Sequence, residues 1–190
     1  MSTSTKNSTR IEEEVIQIKN AQENPAAFKV LYEKYYKPIF LFVLHRIGEK
    51  NLSADITSQV FLKALVNLPR YKFQGLPFSA WLYRIAINES YEFLRKSKRH
   101  RVIALDESVI EDLYDGLTTD TRIADLQERL PEILEQLSID EMHILELRFF
   151  EKKPFREVAD ILAISESHAK VRTYRLLDKM RKIFMGKSML

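Results

Sequence analysis

Residues 154–182 read PFREVADILAISESHAKVRTYRLLDKMRK, two helical patterns with almost nothing between them. Pro154 opens a short helix to Ala163, and the Ser165 side chain caps a second one running to about Phe184. Ala159 is the small residue needed where two helices cross closely, while Val158, Leu162 and Ile164 supply apolar contacts around the turn. These are helix-turn-helix proportions. At ~100° per residue, Ala169, Thr173, Leu176, Leu177, Met180 and Phe184 gather on one face of the second helix. His168, Arg172, Arg175, Lys179 and Lys182 fall on another face, within about 80°. Lys170 lies off that stripe, near the edge of the core face. A core stripe and a basic stripe on one helix suit the DNA major groove: the N-terminal half reaches base edges, and later cations neutralise phosphates.

Upstream, Ser138 and Glu141 form a capping box (S-x-x-E), and Pro131 is expected to start the helix before it. Residues 105–125 show weak periodicity and read as a linker. Toward the N-terminus, Ile11 to Lys19 reads as a short helix with acids in its first turn. Asn24-Pro25 looks like an N-cap followed by proline at the first helical position. The helix after it ends near Gly48, with Pro38 expected to kink it. Ser53 is taken as the cap of a third helix, with Ile56, Val60, Phe61, Ala64 and Leu65 on its buried side. A loop (69–77, PRYKFQGLP) precedes a long helix from about Phe78 to Lys98. The expected organisation is all-α: a disordered tail over 1–10, a helical domain over 11–98, a linker over 99–126 and a second helical domain over 127–186.

Charge sharpens that division. The chain has a net charge of only +3, but it is unevenly placed. Arg70 to Arg101 holds eight Lys/Arg against two Glu; 105–125 holds seven acids against one Arg; Ser165 to Leu190 holds seven bases against two acids. Blocks of like charge mark interaction surfaces, though a solvated helix face is the plainer reading of any one of them. Hydrophobic residues at 45% suffice for packed cores, and only four glycines favour helix. There is no cysteine, which excludes disulfides and thiolate chemistry. The polar start MSTSTKNSTR is no secretory signal, and no apolar run approaches a membrane span, so a soluble, cytoplasmic protein is expected.

The stretch YKFQGLPFSAWLYRIAINESYEFLRKSKRHR, 71–101, carries the most chemistry. On its helix, Trp81, Arg84, Asn88, Tyr91 and Arg95 share a face about 80° wide, with Leu82, Ile85, Ala86 and Phe93 elsewhere as core. Rings that stack, guanidinium groups that neutralise phosphate and an amide that reads an edge suit unpaired bases. The preceding loop, with Phe73, Gln74 and Phe78, offers a pocket for a base out of the stack. The run from Arg95, with Lys96, Lys98, Arg99 and Arg101, gives DNA a sequence-independent anchor. Against this stands the ordinary alternative that any single aromatic here is core.

WLYRIAIN at 81–88 after FQG, DITSQVFLKAL at 55–65 before it, and a helix-turn-helix beyond an acidic linker closely resemble the extracytoplasmic-function (ECF) sigma factors of bacteria, over about residues 11–185. The resemblance implies a subunit that binds core RNA polymerase and directs it to promoters. In that family the first domain contacts the polymerase clamp helices and captures the melted −10 element. The second recognises the duplex −35 element and touches the β flap. By resemblance, the polymerase contact falls to Asp55, Ile56, Gln59, Val60, Phe61 and Lys63. Capture of the melted strand falls to Phe73, Gln74, Phe78, Trp81, Arg84 and Asn88, extended by Tyr91 and Arg95. The −35 contacts fall to Ser165, Glu166, Ser167, His168, Lys170, Arg172, Arg175 and Lys179. An anti-sigma factor is a common partner in the family, which acts as one copy per polymerase, so no stable homo-oligomer is expected. In the family the linker threads a polymerase channel, where its acids would meet a basic wall. Ser58-Gln59 stand where the family usually shows Gln-Glu, Leu65 where many members carry Trp, and the 75–78 loop is one residue short.

Catalysis finds no support. His45, His100, His143 and His168 fit no metal-ligand spacing, and there is no phosphate-binding glycine loop or nucleophile elbow. Neither cofactor nor metal is expected. Two other readings compete: a dimeric helix-turn-helix regulator of duplex DNA alone, and a protein-docking module with incidental basic faces. The first has no use for the 73–95 stripe. The second leaves Arg172 and Arg175 without a DNA role.

Overall fold

Asn24 and Gly48 bracket the first long apolar-periodic stretch, and each does what its chemistry suits. The Asn24 side chain accepts the Ala26 N–H at 3.0 Å and opens a 3₁₀ turn, Pro25–Ala27, that runs straight into helix α2 (Phe28–Ile47). Gly48 closes α2 in the left-handed region (φ 75), where a side chain would be strained, and returns its N–H to the Leu44 carbonyl at 2.8 Å. The helix runs on across Pro38. Before it lies α1 (Ser2–Glu23); after it come α3 (Lys50–Asn67) and α4 (Phe78–Ser97). This computed structural model describes residues 2–97, 113 and 123–186, so Lys98, Arg99, Arg101 and nearly all of the acidic segment lie outside the described residues. The chain divides into two units, Met1–Ala104 and Leu105–Leu190, and among the described residues both are all-helical.

In the first unit the spacing decides what is buried. Leu31, Ile39, Phe42 and Val43 of α2, Val60, Phe61 and Ala64 of α3, and Leu82, Tyr83 and Ala86 of α4 close a common core. Two expectations fail here. Helix α1 begins at Ser2 instead of Ile11, so the expected tail is helical; adding turns to an existing helix is far easier than nucleating one. Ser53 does not cap α3. Glu49 does, accepting N–H groups from Asn51 (2.9 Å) and Leu52 (3.4 Å), while the buried Ser53 hydroxyl donates back to the Glu49 carbonyl at 2.6 Å.

The second unit holds α5 (Ile123–Glu135), α6 (Ile139–Leu145) widening into a π turn (Glu146–Phe150), α7 (Phe155–Leu162) and α8 (Glu166–Phe184). The Ser138–Glu141 capping box forms as read. Pro131, expected to start a helix, sits inside α5 at an exposed position, where the carbonyl that a proline orphans can be hydrated. Because α5 begins at Ile123 and buries Leu126, helical structure starts four residues before the expected boundary at 127. Arg129 of α5 reaches the far end of α8, donating to the carbonyls of Phe184 and Ile183 (3.3 Å to the latter), a cation at the negative end of the helix dipole. Between α7 and α8 stand only Ala163, left-handed at φ 56, Ile164 and the capping Ser165.

Candidate nucleic-acid interface

In the first unit the loop after the 3₁₀ turn Leu68–Arg70 leads into α4, and three rings close on one another there. Tyr71 lies 4.7 Å from Trp81 and 5.5 Å from Phe78, centroid to centroid, and Phe78 lies 5.3 Å from Trp81. Phe78 is 0% exposed and also meets Tyr35, so it is the floor beneath the site, not a surface that touches a base. That corrects its expected role: the first turn of α4 points inward, onto α2. Trp81 is half-buried and lines two cavities. One, of about 370 Å³, is lined by Lys63, Asn67, Arg70, Tyr71, Trp81, Ile85, Asn88 and Glu89. The other, of about 300 Å³, lies between Trp81, Arg84, Gln74, Tyr71 and the loop.

The structure therefore brings Gln74, Trp81, Arg84 and Asn88 together around one indole. Phe73, Tyr91, Arg95 and Lys96 are exposed but line neither cavity, and Lys96 pairs with Glu92 at 2.6 Å. Tyr71 and Arg70 line both cavities and were not singled out by sequence reading; their signal was the density of rings and bases in the loop. Burial raises the Tyr71 phenol pKa, the Glu14 charge adds to that, and Arg84 opposes it; the phenol stays neutral and able to donate. Glu89, which has no evident partner in the sequence, holds Lys63 at 2.6 Å across the first cavity.

On α3 the expected polymerase-contact residues separate into two groups. Asp55, Gln59 and Lys63 are exposed, one turn apart. Ile56, Val60 and Phe61 are buried, and the Phe61 ring packs on Phe28, Tyr32 and Tyr36 at 6.4, 4.8 and 6.1 Å. Those three belong to the core and cannot meet a partner as a surface. The outer face instead shows Leu62 and Val66, exposed at 61% and 68%, which sequence reading missed. A groove of about 250 Å³ between α3 and α4 is bordered by Asp55, Gln59, Phe93 and Lys96.

In the second unit Ser165 accepts the His168 N–H at 3.2 Å, fixing the start of α8, and Glu166, Ser167 and His168 are exposed there. Lys170 pairs with Glu166 at 2.9 Å and sits over the Phe155 ring at 5.8 Å. Arg172 faces Asp140 at 3.4 Å. Arg175 is exposed with no ion pair among the described residues. Lys179 differs: it donates to Glu141 at 2.7 Å and to the Gln136 carbonyl at 3.0 Å, fastening α8 to the α5–α6 turn. The stripe thus offers its N-terminal part outward and spends Lys179 on packing. Val171 and Tyr174, at 45% and 63% exposed, stand among these cations and were not anticipated.

Among the described residues no His/Asp/Glu group could hold a metal ion, and no helix is long and apolar enough to cross a membrane. Residues 31–100 match the family described as Sigma-70 region 2, and 133–182 that described as Sigma-70, region 4. The chain is 27% identical over 161 residues to the ECF RNA polymerase sigma factor SigX of Bacillus subtilis (strain 168), covering 82% of each. It is 30% identical over 149 residues to RNA polymerase sigma factor SigV of the same organism, covering 78% of this chain and 83% of that one. A co-crystal structure of the sigma factor RpoE in complex with the anti-sigma factor NepR from Bartonella quintana shares the fold, with a TM-score of 0.51 at 18% identity over 85% of this chain and 98% of that one.

Proposed function

This chain belongs to the ECF group of sigma-70 RNA polymerase sigma factors, an alternative sigma factor in transcription initiation, and from that premise we propose how its residues divide the work. The second unit docks on duplex −35 DNA through the outward part of α8: Ser165, Glu166, Ser167, His168, Lys170, Arg172 and Arg175. The first unit binds core polymerase through the exposed side of α3, with Asp55 and Gln59 supplying polar contacts and Leu62 and Val66 apolar area. Its α4 face then holds the separated −10 strand. Trp81 stacks a base, Gln74 and Asn88 meet base edges, and Arg84 and Arg95 neutralise phosphate.

One observation carries this reading: a single half-buried indole that lines two cavities, each with a side-chain amide in its wall. Strand opening costs a few kcal/mol per unstacked step, and stacking returns about 1–3 kcal/mol per captured base, so capture offsets much of the cost at each captured position. The protein acts by binding, as no enzyme and with no cofactor, in the cytoplasm where its polymerase resides. The acidic 105–125 segment, with seven acids against one Arg, suits a basic channel of the polymerase better than DNA. An anti-sigma factor is a partner by analogy with the RpoE–NepR complex. The test is transcription in vitro with purified core polymerase and a genomic promoter library. Promoter-specific transcripts that depend on this chain are expected; their absence would sink the reading.

A further inference from the structure

Helix α1 carries three consecutive acids, Glu12, Glu13 and Glu14, and only the last faces inward. It shares its side with Ile18 and Ala21, both 3% exposed, so burying this side places a carboxylate 5% exposed inside the unit. A buried carboxylate is costly unless its oxygens are satisfied, and these are. Oε1 accepts from the Lys34 ammonium at 2.7 Å and from the Tyr35 hydroxyl. Oε2 accepts the backbone N–H of Phe78 at 2.9 Å. Phe78 is the first residue of α4, so its N–H has no partner within that helix. Glu14 therefore caps α4 from another helix, with negative charge at the positive end of the dipole.

Two turns further along α1, Gln22 Nε2 donates to the carbonyls of Leu68 (2.9 Å) and Tyr71 (2.8 Å). One side chain thus fastens the entrance to the 71–78 loop and the other its exit. Between those points, no hydrogen bond to Lys72 through Leu76 is made among the described residues. The loop bearing Phe73 and Gln74, and the Tyr71–Trp81 contact, take their form from their two ends.

We propose that α1 is a brace for strand capture, with Glu14 and Gln22 as positioning residues that set the loop against Trp81. This rests on the reading of the Trp81 face as the strand-capture site, and the test separates the two. Gln22→Met keeps the side-chain length and removes both N–H donors of the half-buried Gln22, and a wild-type circular dichroism spectrum checks that the variant folds. Trp81 is the chain's single tryptophan and reports on the loop directly. In the free chain, Gln22→Met should shift Trp81 emission to the red; the remaining readouts use holoenzyme built with core polymerase on a promoter taken from the library assay. Gln22→Met should also lower permanganate-reactive open complexes about tenfold, the order expected for two lost hydrogen bonds. Affinity for core polymerase and for duplex −35 DNA stays at the wild-type level. Gln22→Lys, which restores a donor, recovers most of the loss; a space-filling role would not show that rescue. Wild-type emission and opening in Gln22→Met, with opening abolished in Trp81→Ala, overturns the brace and leaves the capture site standing. Normal opening in Trp81→Ala overturns both.

Discussion

Arg175 and Lys179 sit one turn apart on the same basic stripe, yet the structure gives them different work, and exchanging each for an uncharged residue should separate the two roles. In Lys179→Met, Glu141 loses its ammonium partner and the Gln136 carbonyl loses a donor. Hydrogen bonds to charged groups are worth about 1.5–3 kcal/mol when well buried. Here the Lys179 and Glu141 side chains are 20% and 27% exposed, so water replaces part of that and about 1 kcal/mol is the reasonable loss. For a domain of this size that lowers Tm by about 4–8 °C. Arg175→Ala removes an exposed side chain and should stay within about 0.5 kcal/mol of wild type. Its cost falls on DNA: if Arg175 meets one phosphate, the slope of log affinity against log salt for holoenzyme on a −35 duplex shrinks by about 0.9. Melting followed by circular dichroism and a salt titration of DNA affinity read the two effects. A Tm loss in Arg175→Ala equal to that of Lys179→Met, or a lost unit of salt slope in Lys179→Met with Tm unchanged, would refute the assignment.

Two further outcomes follow from the same contacts. For both Glu14 and Glu141 burial alone would raise the carboxyl pKa, but hydrogen bonds from Lys34, Tyr35 and Phe78 in one case, and Lys179 and Ser138 in the other, hold it below the usual range. A depressed folded pKa stabilises above the unfolded value of about 4.3 and is lost as pH falls through the folded one, so urea midpoints should drop between about pH 5 and 3. Glu14→Gln should flatten that decline, and an unchanged profile would count against the buried carboxylate. On α3, Phe61→Ala should cost about 3–5 kcal/mol of stability. Asp55→Ala and Gln59→Ala should leave the urea midpoint unchanged and weaken capture by immobilised core polymerase; the reverse pattern would contradict the division of that helix.

Local chemistry was readable along the chain wherever it closes over a few residues. Asn24-Pro25, Gly48, Ser138–Glu141 and Ser165 each act within one turn, so their residue types announce them. Ser53 and Pro131 misled because the deciding facts are not local: Glu49 supplies the cap of α3, and α5 continues across an exposed proline. The α4 stripe was legible because helical period alone sorts Trp81, Arg84 and Asn88 from Leu82 and Ala86. Phe78 was not, since its burial depends on how α4 enters over Tyr35. On α3 the period already put Ile56, Val60 and Phe61 inward, and the family resemblance drew them out as contacts; the period was right. Leu62 and Val66 went unremarked because an apolar residue in a sequence suggests core until its exposure is seen. The α1 brace was invisible, for nothing in three consecutive glutamates says which one meets Phe78, 64 residues away.

The division of labour between strand capture and duplex docking is tested most directly by paired nuclease-protection and permanganate footprints of holoenzyme on one promoter, with wild type, Trp81→Ala, Asn88→Ala and Arg175→Ala side by side. Trp81→Ala and Asn88→Ala should keep duplex −35 protection while thymines in the melted region lose reactivity. Arg175→Ala should lose −35 protection on duplex DNA yet regain transcription on a premelted template. Equal loss of protection and opening in Trp81→Ala would contradict the account.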